Sequence, residues 1–333
     1  MTIRWGIAGP GRISHTIAAE LAAVADAELV AVGSRSEDRA QLFAAEFSIP
    51  HAHGSYRALV TDPDVDVVYI GTPHPQHHPL AMAAIEAGKA VLVEKAMTCT
   101  VERTRELAQA ARAAKVFAME AVWTRFLPAT RLAHELVDEG RIGELTAIQG
   151  DLFAHRDFNA TDRLFAPELA GGAMLDLGVY VLHFAQDFLG APSGVEVTGS
   201  LLPNGVDGAE AIQLRYDSGV EGLGRTAQLS CGLTTYGPGR MVICGTQGYL
   251  EVLPRFHHPS RLILHHGHDE PEVIERPYEG LGYRHELAAV TEAMSQGLTE
   301  HPLLPLDDSI AVAQAMTIGL AQLGYQPADA TEI

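Results

Sequence analysis

The sequence predicts an α/β protein: an N-terminal doubly wound parallel sheet, then a second α/β domain built on a mainly antiparallel sheet. Three observations predict it. A chain of 333 residues is long enough for two domains. Up to Val122, short apolar runs alternate with amphipathic stretches of about 10 to 15 residues, the pattern of repeated βαβ units. Beyond Gly140-Arg141-Ile142-Gly143 the texture changes to strand-like runs separated by turn residues, which parallel βαβ units do not produce.

Taken in order, Arg4–Ala8, Glu28–Gly33, Val65–Gly71, Ala90–Val93 and Val116–Glu120 read as strands of the first sheet. Ile13–Ala25, Glu37–Phe47, Pro75–Ala87 and Val101–Ala114, rich in Ala, Leu, Glu and Arg, read as the helices between them. In the second domain, Leu145–Phe153, Val195–Leu202, Ala209–Tyr216, Val220–Leu229 and Arg240–Cys244 read as strands, punctuated by Asn204-Gly205, Asp217-Ser218-Gly219 and Gly237-Pro238-Gly239. Helices are expected at Met174–Leu189, Arg284–Ser295 and Asp308–Leu323. The expected division is 1–122 and 123–333.

Composition narrows the function classes. Hydrophobic residues make up 47% and charged residues 20%, which suits a globular chain with a sizeable core rather than a disordered one. Lys plus Arg total 23 against 42 Asp plus Glu, a formal charge of −19, so nucleic acid and anionic membranes are not expected partners. No signal-peptide pattern opens the chain and no apolar run reaches the roughly 18 residues that cross a bilayer. Cys99, Cys231 and Cys244 are odd in number and lack C-x-x-C spacing, which argues against a disulfide framework and for a reducing cytoplasm.

The first strand runs into Gly9-Pro10-Gly11-Arg12-Ile13-Ser14, a G-x-G-x-x-S variant of the dinucleotide fingerprint. Gly9 permits the tight turn, and Gly11 lets the backbone approach a pyrophosphate at the N-terminus of the next helix. The second strand ends in Gly33-Ser34-Arg35-Ser36, where an NAD enzyme usually places a carboxylate for the ribose 2′-hydroxyl. A guanidinium flanked by hydroxyls suits a 2′-phosphate instead, so NADP(H) is the expected cofactor.

Further motifs follow: Thr72-Pro73-His74-Pro75-Gln76-His77 after one strand, Glu94-Lys95 ending another, Glu120-Ala121-Val122-Trp123-Thr124-Arg125-Phe126, and Gly171-Gly172-Ala173-Met174-Leu175-Asp176-Leu177-Gly178-Val179-Tyr180. Together with Gly245-Thr246-Gln247-Gly248 these segments resemble the glucose-fructose oxidoreductase and inositol dehydrogenase (Gfo/Idh/MocA) family, in particular its dihydrodiol dehydrogenases, over nearly the whole chain. The resemblance implies an NADP(H)-binding Rossmann domain over 1–122 and a substrate-binding, oligomerising domain with an open sheet over 123–333. It assigns Gly9, Gly11, Arg12 and Ile13 to the pyrophosphate and Ser34, Arg35 and Ser36 to the ribose phosphate. Thr72, Pro73, His74 and His77 fall to the cofactor's far half, and Glu94 and Lys95 to the nicotinamide. Asp176 and Tyr180 match the family's catalytic segment. Trp123, Arg125, Phe126 and His155 are candidates to line the substrate site, with Arg156 beside them.

Chemistry gives these residues consistent work. Oxidising an alcohol needs a proton acceptor at the hydroxyl while the nicotinamide takes the hydride. Tyr180 can accept that proton once a nearby ammonium, that of Lys95, favours the phenolate of a group whose unperturbed pKa is about 10. Asp176 and Tyr180 stand four apart, on one face of a helix.

One departure from the family pattern is Ala96, where proline is usual after the lysine. A cis bond without proline costs about 2.5 to 4 kcal/mol, so a trans Lys95–Ala96 peptide is expected. His257-His258 and His265-His266-x-His268 superficially resemble a metal tract. They fall in an expected surface hairpin without a carboxylate of known spacing, so no metal is assigned. The expected activity is therefore hydride transfer between NADP(H) and a CH–OH or C=O group of a sugar, polyol, keto-sugar or trans-dihydrodiol, in a homodimer or homotetramer. A nicotinamide-dependent glycosidase of the same fold and a non-catalytic NADP(H)-binding regulator are the alternatives.

Overall fold

Six parallel strands form the first sheet of the computed structural model, which describes residues 2–219, 224–330 and 332–333. In chain order this part comprises β1 (Ile3–Ala8), α1 (Arg12–Leu21), β2 (Ala27–Gly33), α2 (Glu37–Phe47), β3 (His51–His53), α3 (Tyr56–Val60), β4 (Val67–Ile70), α4 (His77–Glu86), β5 (Ala90–Glu94), α5 (Val101–Ala114) and β6 (Ala118–Ala121). The strand order β3-β2-β1-β4-β5-β6 turns back at β1, the switch point where open α/β sheets bind ligands beyond the carboxyl ends of their strands. Every residue of β4 is buried, as expected where helices cover both faces.

The helices begin where the sequence offers caps. Ser36 Oγ accepts from Arg39 N ahead of α2, and Glu37 and Asp38 in its first turn favour the positive end of the helix dipole. Thr100 caps α5 in the same way, and both helices end at a residue in the left-handed region, Ser48 and Lys115.

The second unit contains α6 (Pro128–Asp138), β7 (Leu145–Phe153), a single π-helical turn (Met174–Gly178) leading directly into α7 (Val179–Leu189), and strands β8 (Gly194–Leu201), β9 (Asp207–Tyr216), β10 (Arg225–Gly232), β11 (Met241–Gly245), β12 (Gly248–Val252), β13 (Arg261–His266) and β14 (Glu272–Glu275). Its eight strands run β14-β13-β12-β11-β7-β10-β9-β8, all neighbours antiparallel except β10 and β7. Alternation is clear: Ile148, Leu152, Ile212, Leu214, Ala227, Leu229, Ile243, Leu250 and Leu264 are buried on one face, against which α7 packs.

Two helices follow, α8 (Tyr283–Ser295) and α9 (Leu306–Leu323). The chain does not divide at one point. The first unit is Met1–Val122 with Glu279–Ser309 and Asp329–Ile333, and the second is Trp123–Tyr278 with Ile310–Ala328. A second domain running unbroken from 123 to 333 is thereby corrected: α8 packs on α1 and β1, and its apolar face belongs to the first core.

Other differences are local. β12, β13 and β14 are the strands of the hairpin expected around the histidine tract, for which the sequence reading gave no bounds, and β3 and α3 are too short to stand out in a periodicity window. Of the expected strand Val220–Leu229, residues 220–223 lie outside the described residues, and β10 begins at Arg225. Among the described residues, no helix is long and apolar enough to cross a membrane. Cys99, Cys231 and Cys244 are all unpaired thiols.

Candidate active site

In the first unit, the turn after β1 is fixed by backbone geometry. Gly9 has φ +87°, and a Cβ there would stand 2.9 Å from Thr72 Cγ2, so both conformation and space require glycine. Gly11 is different: an added Cβ would meet only the Gly71 carbonyl, at an ordinary 3.9 Å. Nothing inside the chain demands a glycine at that position, which is what close approach by an external group would explain. Gly11 also leads into α1 without a side-chain cap, leaving the first-turn N–H groups of Arg12 and Ile13 available to an anion. Ser14 is a structural part of the loop. Its Oγ donates to the Gly9 carbonyl at 2.6 Å and packs beside Gly71.

At the end of β2, Ser34 is buried and its main-chain N–H bonds the His53 carbonyl at 3.0 Å. Ser36, expected to touch a ribose phosphate, has its hydroxyl engaged as the cap of α2. Arg35 is exposed, and it reaches the Tyr56 hydroxyl. Burial pushes the Tyr56 phenol up, partly offset by Arg35 and Arg39. Arg39, which the sequence motif does not contain, folds back so that its Nη2 donates to the Pro10 carbonyl at 3.3 Å. Two guanidiniums therefore serve this loop rather than one.

Beyond β4, Thr72 Oγ1 is buried and has no hydrogen-bond partner among the described residues. Pro73 sets the start of a short 3-10 turn, His74–Gln76. His74 Nε2 lies 3.3 Å from the Lys95 carbonyl. His77, assigned above to the cofactor, is almost wholly buried, with Nδ1 2.9 Å from the Ala96 carbonyl and Nε2 2.8 Å from the Thr72 carbonyl. Burial lowers its pKa, against the pull of those carbonyls. His77 thus ties the Thr72 turn to the Lys95 segment.

That segment corrects a second expectation: the Lys95–Ala96 peptide is cis. The trans expectation weighed only the proline that is missing. The surroundings hold both sides of the bond, with the Lys95 and Ala96 carbonyls on His74 and His77 and the next amide, Met97 N–H, on Glu120 Oε1 at 2.9 Å. Glu94 accepts from the Tyr69 hydroxyl (2.7 Å) and from the Lys95 amide (3.2 Å), and so fixes the turn that presents Lys95. Near it Glu286 of α8 is buried, its pKa pushed well up by burial and by the neighbouring Glu94 and Glu120.

In the second unit, aromatic groups gather around Tyr180, at the start of α7. Trp123 Nε1 donates to the Tyr180 hydroxyl at 3.3 Å. The His257 ring lies 5.1 Å from the Tyr180 ring, and His258 stacks on Trp123 at 5.8 Å. Thr124 Oγ1 donates to the His257 carbonyl at 2.7 Å and fixes the histidine pair. These two histidines are half-buried neighbours of the tyrosine, carried by the connection of the hairpin that joins β12 to β13. Motif reading missed them because nothing in sequence connects positions so far apart. His265 stands apart, on β13, stacked on Tyr249 and bonded to Glu251 Oε1 at 2.8 Å.

Asp176 sits in the π-helical turn and pairs with Arg163 at 3.2 Å. Its spacing from Tyr180 therefore crosses a π turn, not the uniform α-helix assumed from sequence. A buried acid pair underlies that turn. Asp207 Oδ2 accepts from Met174 N at 2.6 Å, and Glu210 Oε2 accepts from the Cys231 thiol at 2.8 Å. The remaining oxygens, Asp207 Oδ1 and Glu210 Oε1, are buried without a separate donor, as two carboxyls sharing one proton would be. Burial pushes both pKa values up, and Asp207 pushes that of Glu210 further.

Three expected lining residues have these surroundings within the second unit. Arg125 is buried, with Nη1 3.5 Å from Asp187 and Nη2 3.4 Å from the His183 carbonyl, while Asp187 also holds His134 at 2.8 Å. It is a packing ion pair. Phe126 is buried in the same turn. His155 stacks on the highly exposed Tyr236, with the Arg156 guanidinium bonded to its carbonyl.

Comparison with known proteins gives this arrangement its class. Residues 3–122 match the family model of the GFO/IDH/MocA oxidoreductases with an NAD-binding Rossmann fold, and residues 130–251 match the family's C-terminal domain. The chain belongs to that family and is an oxidoreductase. Among its relatives, trans-1,2-dihydrobenzene-1,2-diol dehydrogenase of Mus musculus is 34% identical over 325 residues, 95% of each chain, and that of Xenopus laevis is 34% identical over 97% of this chain and 99% of its own. KijD10, a 3-ketoreductase from Actinomadura kijaniata solved with NADP and TDP-benzene, is 27% identical with a TM-score of 0.83, covering 99% of this chain and 100% of its own.

Proposed function

We infer that this oxidoreductase uses NADP(H) and moves a hydride between the nicotinamide and a CH–OH or C=O carbon of a sugar, polyol, keto-sugar or trans-dihydrodiol. The observation that carries the cofactor choice is the end of β2: Arg35 at the position usually held by a ribose-binding carboxylate, and Arg39 folded onto the Pro10 carbonyl beside it. The uncapped α1, the uncrowded Gly11 and the partnerless Thr72 Oγ1 fit a dinucleotide laid along these turns. The substrate class rests on the relatives named as dihydrodiol dehydrogenases and on the 3-ketoreductase.

When bound, the cofactor supplies or accepts the hydride. Tyr180 exchanges the proton of the reacting hydroxyl. The Trp123 indole N–H, already on the phenol oxygen, stabilises the charge that develops there as the proton moves. Lys95, whose turn Glu94 holds, is the ammonium proposed to stabilise the substrate alkoxide. Trp123 and His258, stacked, offer a flat apolar wall for a ring-shaped substrate. A glycosidase that recycles retained NAD would gain nothing from two arginines at the ribose. A non-catalytic regulator would have no use for Lys95, Asp176 and Tyr180. The setting proposed is a reducing cytoplasm, suited to three unpaired thiols.

Titration of the protein with NADPH and NADH by nicotinamide fluorescence tests the inference. A charge-assisted contact of about 1.5 to 3 kcal/mol predicts a roughly tenfold to hundredfold preference for NADPH, largely erased by Arg35→Ala. Equal affinity of the unmutated protein for both cofactors contradicts it.

A further inference from the structure

We propose that His51, His53 and Asp62 form a binding site for a divalent cation of the zinc class at the open edge of the first sheet. β3 is the outermost strand, and the alternation of a strand places the side chains of His51 and His53 on the same face. Asp62, just beyond α3, lies beneath both imidazoles. Its Oδ2 is 2.7 Å from His51 Nδ1 and 2.8 Å from His53 Nε2, and one donor atom from each residue falls within 4.8 Å of the other two.

The carboxylate is held in place from behind. Asp62 Oδ1 accepts from Asp64 N at 2.8 Å, and the Asp62 carbonyl receives Lys89 Nζ at 2.7 Å. The second nitrogen of His51 faces Asp64 Oδ2 at 4.0 Å, an outer carboxylate of the kind that orients metal-bound histidines. The Asp62 side chain is only 4% exposed, while those of His51 and His53 are 37% and 22% exposed, so the site has a buried floor and a side open to water.

Two imidazoles and one carboxylate with an open side suit Zn2+, or Co2+, Ni2+ and Cu2+ in its place, better than Ca2+ or Mg2+, which take mainly oxygen ligands. The contacts seen are those of the hydrogen-bonded form. On binding, the proton on each contacting nitrogen leaves, to the other nitrogen of that ring or to solvent. The donors then open by several tenths of an ångström so that each lies about 2.0 to 2.2 Å from the ion. A plain hydrogen-bonded tie between β3 and the turn before β4 would use the same residues but hold no ion. The two are separable by experiment.

Protein stripped with a chelator is titrated with Co2+, followed by visible absorption, and with Zn2+ by calorimetry. The expected result is one ion per chain and an intense Co2+ band displaced by Zn2+, with affinity falling at least tenfold in His51→Gln and in His53→Gln but unchanged in His265→Gln. NADPH affinity serves as the folding control for each variant. Absence of binding at micromolar Zn2+, or binding undiminished in both variants, overturns the proposal. Should the variants unfold, X-ray absorption of the Zn2+-loaded unmutated protein decides: two imidazole ligands uphold the site, and any other number refutes it.

Discussion

Single residues carry the cofactor reading, and two kinds were legible to different degrees. Gly9 and Arg35 could be placed from sequence because a positive φ and a strand end are local facts, written within a few positions. Arg39, His257 and His258 could not, since their roles depend on a helix folding back over Pro10 and on a distant loop reaching Tyr180. Nor could the surroundings of Arg125 be read: it is buried beside Asp187 and the His183 carbonyl, both distant in sequence. Thr72 offers the sharpest test at this scale. Its buried Oγ1 has no partner among the described residues, so Thr72→Val, nearly equal in shape, should leave the melting temperature unchanged or slightly raised. NADPH affinity should fall by about tenfold, the worth of one good hydrogen bond. A variant that melts earlier and binds NADPH as before would show the hydroxyl to be structural.

Elements with strong end signals were read closely. α2 and α5 begin and end as expected because Ser36 and Thr100 are capping residues followed by acids, and β7 matches because its alternation is long. β12, β13 and β14 were read only as a hairpin around the histidines, without bounds, because on β13 only the inward positions Leu262 and Leu264 need be apolar. The π turn before α7 left no trace in periodicity. It is set by a long-range contact, Met174 N on Asp207, whose acid pair gives a pH prediction. Glu210 is held protonated in the fold but ionises in the unfolded chain above the usual carboxylate range. The unfolded state therefore binds fewer protons, and stability falls as pH rises through that range towards the raised folded pKa. Glu210→Gln removes the titrating group while keeping a donor to Asp207 and an acceptor for Cys231. Its melting temperature relative to the unmutated protein should rise by several degrees between about pH 5 and about pH 8, by the usual 2 to 4 °C per kcal/mol. A variant that is relatively weaker at the higher pH would refute the shared proton.

At the scale of the whole molecule, alternating βα texture followed by strand-rich texture was enough for the fold class. The return of α8 to the first unit was not legible, because a helix's amphipathic face does not say which sheet it will cover. The proposed homo-oligomer depends on the outward face of the second sheet. One row across it runs Gln213, Gln228, Gln149, Val242, Glu251, Ile263 and Val273, polar towards β9 and mainly apolar from β11 to β14, a mixture found in protein interfaces. Sedimentation at micromolar concentration should show a dimer or tetramer, and a Val242→Lys/Ile263→Lys double variant should shift it towards monomer. A monomeric unmutated protein would rule the interface out. The activity itself is tested most directly by following NADPH absorbance while offering monosaccharides, keto-sugars, polyols and trans-dihydrodiols to the unmutated protein and to Tyr180→Phe. We predict NADP(H)-linked turnover of at least one of these, slowed by about two to four orders of magnitude in Tyr180→Phe with NADPH affinity nearly unchanged, and no further large loss when Lys95→Ala is added. Turnover by Tyr180→Phe at the unmutated rate, or turnover that proceeds as well with NAD(H), would contradict it.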